Sequence, residues 1–177
     1  QALEASPVPI KIQLGINLTE GLGAGSNPDV GRRAAEESTD RITELLDANT
    51  KMLFVTAGMG GGTGTGAAPV IAEIAQEKDI LTVGVVTVPF ATEGGYRRQY
   101  ADEGIMELKK YVDTLLVIDN EKLIEVYGDL TFTSAFAKAN EVLNTATKGI
   151  AEVISQHLLV NIDLNDARKV LENSGTA

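Results

Sequence analysis

Apolar residues in this chain follow two rhythms that alternate along its length. Met52 to Thr56, Ile80 to Thr87 and Thr114 to Ile118 are short, nearly unbroken apolar runs. That is the length and character of parallel strands covered on both faces. Between them, apolar positions recur three and four residues apart, which predicts helices over 66–77 and 96–111. Ile10-Lys11-Ile12-Gln13-Leu14 alternates and predicts a strand at an edge or partly exposed. Asn27-Pro28 predicts a helix start, with Asn as the cap and Pro in the first helical position. Ala34, Ala35, Ile42, Leu45 and Leu46 would give that helix its buried stripe. The longest periodic segment runs from about Thr131 to Gln156, a helix of about 36 Å at 1.5 Å per residue with Thr131 as its cap. Strands alternating with helices predict an α/β domain built on a parallel sheet.

One loop interrupts this pattern with a composition of its own. Six glycines and two threonines fall between Gly58 and Gly66. The order of strand, glycine loop and helix is how proteins hold phosphate. Glycine lets backbone N–H groups approach the oxygens, and the helix start adds unpaired donors and partial positive charge. The hydroxyls of Thr63 and Thr65 are further donors, and a side chain at Gly62 is expected to enter the phosphate space. No Gly-Lys-Ser or Gly-Lys-Thr occurs, so this is no P-loop. Gly62-Thr63-Gly64-Thr65-Gly66-Ala67 fits the loose dinucleotide form, but the next strand runs into Val88-Pro89-Phe90 without the acid that would bind the ribose. The plain alternative is a loop that only makes a tight turn.

Gly21 to Pro28 is a second glycine-rich turn opening onto a helix. Two such loops at the carboxyl ends of neighbouring strands would face one crevice. Asn120 follows the third strand, and an amide can pair with both donor and acceptor edges of a nucleobase. Asn140 lies four residues after Phe136, hence on the same helical face. Either Asn could equally be a cap or a surface residue, and Phe136 could be simple core. Glu93 and Arg97 flank a Gly-Gly turn and could equally form a surface ion pair. Asp163 and Asp166 lie three apart, so both face one side of a helix start, where acidic residues also serve as ordinary caps.

Taken together, these motifs resemble the tubulin/FtsZ superfamily of GTPases in its bacterial cell-division form. The resemblance covers essentially the whole chain. It rests on the first glycine loop, on Gly21 to Pro28, on Glu93-Gly94 with Arg97, on Asn120 and Asn140, and on Asn161-x-Asp163-x-x-Asp166, in that family's order. It implies a Rossmann-like sheet with flanking helices. Residues 1–130 would be a partial GTP-binding domain, 131–157 the central helix, and 158–177 the catalytic Asp loop, its following helix and the start of a further domain. The first strand, the first phosphate loop and the C-terminal domain would lie outside this chain. Gly60, Gly61, Gly62, Thr63, Gly64, Thr65 and Gly66 would then bind phosphates of GTP or GDP. Gly23, Ala24 and Gly25 would sense the γ-phosphate; Glu93 and Arg97 would serve the ribose, and Asn120, Phe136 and Asn140 the base. Asn161, Asp163 and Asp166 would be catalytic, entering the site of the next subunit to position water.

The same resemblance implies a head-to-tail homopolymer at the mid-cell division ring in the cytoplasm, with ring adaptor proteins as partners. Mg²⁺ is expected to be held mainly by phosphates and water, with no metal ligand on the protein. Some positions depart from the family pattern. Val88 stands for a frequent Lys, Asp119 for a common Pro, Leu164 for a common Phe, and His157-Leu158-Leu159 for a usual Pro-Gly turn. His157, the only histidine, reads as structural.

Composition narrows the partners. With 15 basic and 25 acidic residues the net charge is −10, which opposes nonspecific binding to nucleic acid or to an anionic membrane. The absence of cysteine excludes disulfides and thiolate metal sites. No apolar run approaches the roughly 18 residues of a membrane helix, so direct membrane insertion is not expected. Two other functions are weighed beside the GTPase. A nucleotide-binding regulatory subunit without catalysis would dispense with Asp163 and Asp166, which are present. A dehydrogenase is disfavoured by the missing ribose acid.

Overall fold

The structure is a computed structural model and describes residues 2–128, 130–155, 164–172 and 174–176. The elements run α1 (Ala2–Ala5), α2 (Ile16–Thr19), α3 (Pro28–Glu37), α4 (Thr39–Leu45), β1 (Met52–Gly58), α5 (Thr63–Glu77) and β2 (Leu81–Val88). A short 3-10 turn (Ala91–Glu93) then leads to α6 (Gly95–Leu108), β3 (Thr114–Asp119), α7 (Asn120–Tyr127), α8 (Phe132–Ser155), α9 (Leu164–Leu171) and β4 (Gly175–Thr176). Among the described residues the sheet has four strands in the order β1-β2-β3-β4, all parallel. Met52 pairs with Leu81 and Gly58 with Thr87; Val83 pairs with Thr114 and Val88 with Asp119. The carboxyl ends of the three long strands therefore share one edge of the sheet.

Core packing follows from the apolar runs. β2 lies between two neighbours and is buried along nearly its whole length, which is why its sequence is continuously apolar. Val86 and Val88 join Ala68 and Ala72 of α5, Ala101 and Leu108 of α6, and Leu115 of β3 in one cluster. A Cβ at Gly84 would lie 2.7 Å from a methyl of Leu115, so the absent side chain makes room for this cluster. Val83 and Val85 point the opposite way, toward the side where α8 packs on β2. A second cluster joins Ala35, Ile42 and Leu46 to Ala67, Val70, Ile74 and Ala75 of α5.

Two expectations are corrected here. Ile10 to Leu14 forms no strand. A strand exists as half of a ladder, and β1, the outer strand of the described sheet, pairs only with β2. The helix opening at Pro28 is two helices, α3 and α4, meeting at Ser38. The Ser38 hydroxyl accepts from the Gly15 N–H at 3.0 Å, and Gly15, at φ +60°, packs onto Ala34. α7 and the two-residue β4 were not read from the sequence. The long helix runs from Phe132 to Ser155, and the Thr131 hydroxyl caps it by accepting from the Ser134 N–H at 3.3 Å.

Candidate nucleotide site at the carboxyl edge of the sheet

β1 continues one bond past its end, with the Met59 N–H donating to the Thr87 carbonyl at 2.9 Å. The chain then turns at Gly60, φ +97°, where a Cβ would lie 2.7 Å from the Arg97 carbonyl oxygen. The Gly60 N–H donates to the Thr65 hydroxyl at 2.8 Å, and Thr65 is only 3% exposed. Thr65 thus staples the loop from inside, while Thr63 is exposed at the helix start. In α5 the Gly66 N–H reaches the Gly62 carbonyl at 3.0 Å. The N–H groups of Thr63, Gly64 and Thr65 precede it and have no intrahelical acceptor. Gly61 faces open space, with no atom within 4 Å of where its Cβ would stand.

Gly21 to Pro28 lies directly against this loop. Left-handed backbone at Glu20, Gly21, Gly23, Gly25 and Ser26 coils the segment tightly. Asn27 ends it by capping α3, its side chain accepting from the Asp29 N–H at 2.9 Å. A Cβ at Gly62 would stand 2.6 Å from the Ala24 methyl and 2.8 Å from the Asn27 nitrogen. The expectation that a side chain at Gly62 enters the phosphate space is therefore corrected: it would enter the seam between the two loops. Gly66 and Gly31 serve the same seam, since a Cβ would collide with the Pro28 carbonyl in one case and the Gly62 carbonyl in the other. Gly64 packs against the Gly58 carbonyl at 2.5 Å on the same test. Gly23 and Gly25 are open. The second loop follows α2 and no strand, in contrast to the expected pair of strand-end loops.

The sugar-side and base-side candidates sit along the same edge. Glu93 is largely buried; one carboxylate oxygen accepts from the Phe90 N–H at 2.9 Å and the other from Arg97 at 2.8 Å. Phe90 meets Phe136 edge-on, with ring centroids 5.2 Å apart, and Phe132 meets Phe136 at 4.9 Å. Asn140 is exposed one turn further along α8. Asn120, the first residue of α7, is 4% exposed, and its Oδ1 is buried with no hydrogen-bond donor. A buried acceptor of this kind is rare enough to need a reason.

Three residues absent from the sequence reading of the site shape this corner. The Asp119 carboxylate caps α7 by accepting from the Glu121 N–H at 3.0 Å and pairs with Arg98 of α6 at 3.0 Å. Burial pushes the Asp119 carboxyl up, but the Arg98 hydrogen bond and the Glu121 N–H outweigh it and hold it below the usual carboxylate range. The Glu121 carboxylate accepts from the Ala91 N–H at 2.8 Å. An acid one position either side of Asn120 was the available signal.

Asp166, the described member of the acid pair, lies elsewhere. Asn161 and Asp163, with His157, fall outside the described residues. Asp166 is exposed in the first turn of α9. Two residues on, Arg168 bonds the Asp79 carboxylate at 3.0 Å and the Asp79 carbonyl at 2.8 Å. Asp79 lies two residues before β2, and β4 pairs with the first residues of β3. α9 is thus tied to the amino edge of the sheet, and the glycine loops leave from the carboxyl edge. The eight residues of β2 separate the two edges by roughly 26 Å. Among the described residues no group of three or more His, Cys, Asp or Glu could hold a metal ion, and no helix is long and apolar enough to cross a membrane.

Comparison with known proteins bears on this arrangement. The model of the Tubulin/FtsZ family, GTPase domain, matches residues 1–128. The chain is 53% identical to the cell division protein FtsZ of Porphyromonas gingivalis, over all of this chain and 39% of that protein. It is also 53% identical to FtsZ of Coxiella burnetii, over 46% of that protein. This chain therefore spans less than half the length of these relatives. The solved FtsZ dimer of M. jannaschii superposes with a TM-score of 0.95 at 46% identity, covering 98% of this chain and 50% of that one. A CetZ2 of Haloferax volcanii shares the fold at a TM-score of 0.77 and 23% identity. The parallel sheet, the paired glycine loops and these matches agree, and the chain belongs to the Tubulin/FtsZ family.

Proposed function

We propose that the carboxyl edge of the sheet binds GTP and GDP, and that hydrolysis is completed by the Asp166 segment of a neighbouring copy. The observation that carries the binding half is the seam at Gly62, which packs the two glycine loops together beside the free N–H groups at the start of α5. That geometry suits a chain of phosphates at a helix N-terminus. Gly61, Thr63 and Gly64 would face the phosphates, with Gly23, Ala24 and Gly25 beside the terminal one. Thr65 would act mainly by holding Gly60. Glu93 and Arg97 would take the ribose, and Asn120, Phe136 and Asn140 the base. In this reading Mg²⁺ arrives with the phosphates and keeps its water ligands.

The hydrolytic half rests on the separation of the two edges. Arg168 anchors α9 beside Asp79, so Asp166 cannot reach the glycine loops of its own chain. A second copy stacked head-to-tail would bring its amino edge onto this carboxyl edge. Such a heterologous contact does not close and propagates as a filament. The dimer solved for the M. jannaschii relative supports self-association. Asn161, Asp163 and Asp166 would then orient the attacking water, the main task in phosphoryl transfer. Within the cell, the filament would form the cytoplasmic division ring at mid-cell, with ring adaptor proteins as further partners.

The test is Asp166→Ala in the full-length protein. GTP affinity should stay at the wild-type value while the rate of phosphate release falls roughly 100-fold or more. Loss of binding, or wild-type turnover, would contradict the assignment.

A further inference from the structure

We propose that Glu121 is a positioning residue for the nucleoside half of this site, locking the sugar-side turn to the base-side helix. The inference rests on the reading of this edge as a guanine-nucleotide site. Phe90 and Ala91 present two successive N–H groups at the start of the 3-10 turn, where no intrahelical acceptor exists. Two different carboxylates take them. Glu93 accepts from Phe90 at 2.9 Å within the turn, and Glu121 accepts from Ala91 at 2.8 Å across to α7. Among the described residues, this is the one side-chain hydrogen bond that joins the turn to α7.

The two joined parts carry different halves of the proposed nucleoside contact. The turn holds Glu93, and through Phe90 it braces Phe136. The helix start holds Asn120, whose buried Oδ1 lacks a donor. Purine amino and imide groups are donors of the kind that this oxygen lacks. Asp119 fixes the same helix start to α6 through Arg98 at 3.0 Å. Asn120 therefore sits between two clamps, and only the Glu121 clamp reaches the turn that bears Glu93. With it released, sugar and base contacts would no longer share one rigid frame, and affinity would fall through lost preorganisation.

The experiment measures GTP, GDP and GMP affinities of the full-length protein by competition, with thermal midpoints recorded in parallel. Glu121→Ala should weaken all three ligands by the same factor, about tenfold, the size expected for one charge-assisted hydrogen bond. Glu121→Gln keeps an acceptor for Ala91 and should recover most of that loss. Glu125→Ala, on the exposed face of α7, should leave affinity unchanged. Ala91→Pro removes the donor at a position compatible with Pro, since Phe90 is extended at ψ 150°. Adding Glu121→Ala to Ala91→Pro should cost nothing more. Unchanged affinity in Glu121→Ala, a loss confined to GTP, or additive losses in the double variant would overturn the positioning role. A wild-type protein that binds no guanine nucleotide would instead refute the site itself, and the positioning role with it.

Discussion

A methyl group added at Gly61 and one added at Gly62 would meet different surroundings. At Gly61 it would find open space, and at Gly62 the Ala24 methyl and the Asn27 backbone. Gly62→Ala should therefore lower stability by about 1–3 kcal/mol through overpacking, while Gly61→Ala should stay within about 0.5 kcal/mol of wild type. Thermal denaturation of the full-length protein without nucleotide checks this, and equal losses at both positions would contradict it. Thr65→Val should cost about 1–3 kcal/mol, because it strands the buried Gly60 N–H, and Thr65→Ser should restore most of the loss. A melting curve unchanged by Thr65→Val would remove the stapling role. The glycine loop itself was legible in the sequence, because only phosphate binding or a forced turn explains such density. Its division of labour was not. Glycines look alike in a sequence, and what separates them is the approach of α3 to α5, a tertiary fact.

Asp119 governs an element. It caps α7, pairs with Arg98 and has a carboxyl held below its usual range. A depressed folded-state pKa contributes stability that is fully present above the unfolded value of about 3.9. That contribution is lost as pH falls through the folded value. Asp119→Ala should therefore cost about 1 kcal/mol at neutral pH, as a lost cap does, and its difference from wild type should shrink as pH drops below about 4. Denaturant titrations at neutral and acid pH measure both, and a gap that widens in acid would contradict the sign. Among elements, the buried strands and the long α8 were readable because their apolar spacing is enforced by burial. Ile10 to Leu14 shows the limit of that logic: the alternation is present, but no described strand lies beside it to pair with. α7 is only eight residues long, too short for a periodic apolar stripe, and its mark in the sequence is the Asp119 cap beside Asn120.

At the scale of the molecule, one sheet keeps the glycine loops and the acid-bearing α9 apart. The glycine loops occupy the carboxyl edge, and Arg168 holds α9 with Asp166 at the amino edge beside Asp79. The docking of α9 on Asp79 depends on contacts 89 residues apart and could not be read locally. In the proposed function a working site needs both edges, from two copies. Mixing two inactive full-length variants tests it directly. Gly61→Val places its side chain where the phosphates would lie without entering the seam at Gly62, and it should abolish GTP binding. Asp166→Ala should bind GTP without hydrolysing it. In a mixture, the intact pocket of Asp166→Ala can meet the intact acid segment of Gly61→Val, so GTPase activity should return to a measurable fraction of wild type. Cross-linking must confirm mixed contacts. No recovery in confirmed mixed assemblies would contradict the shared site.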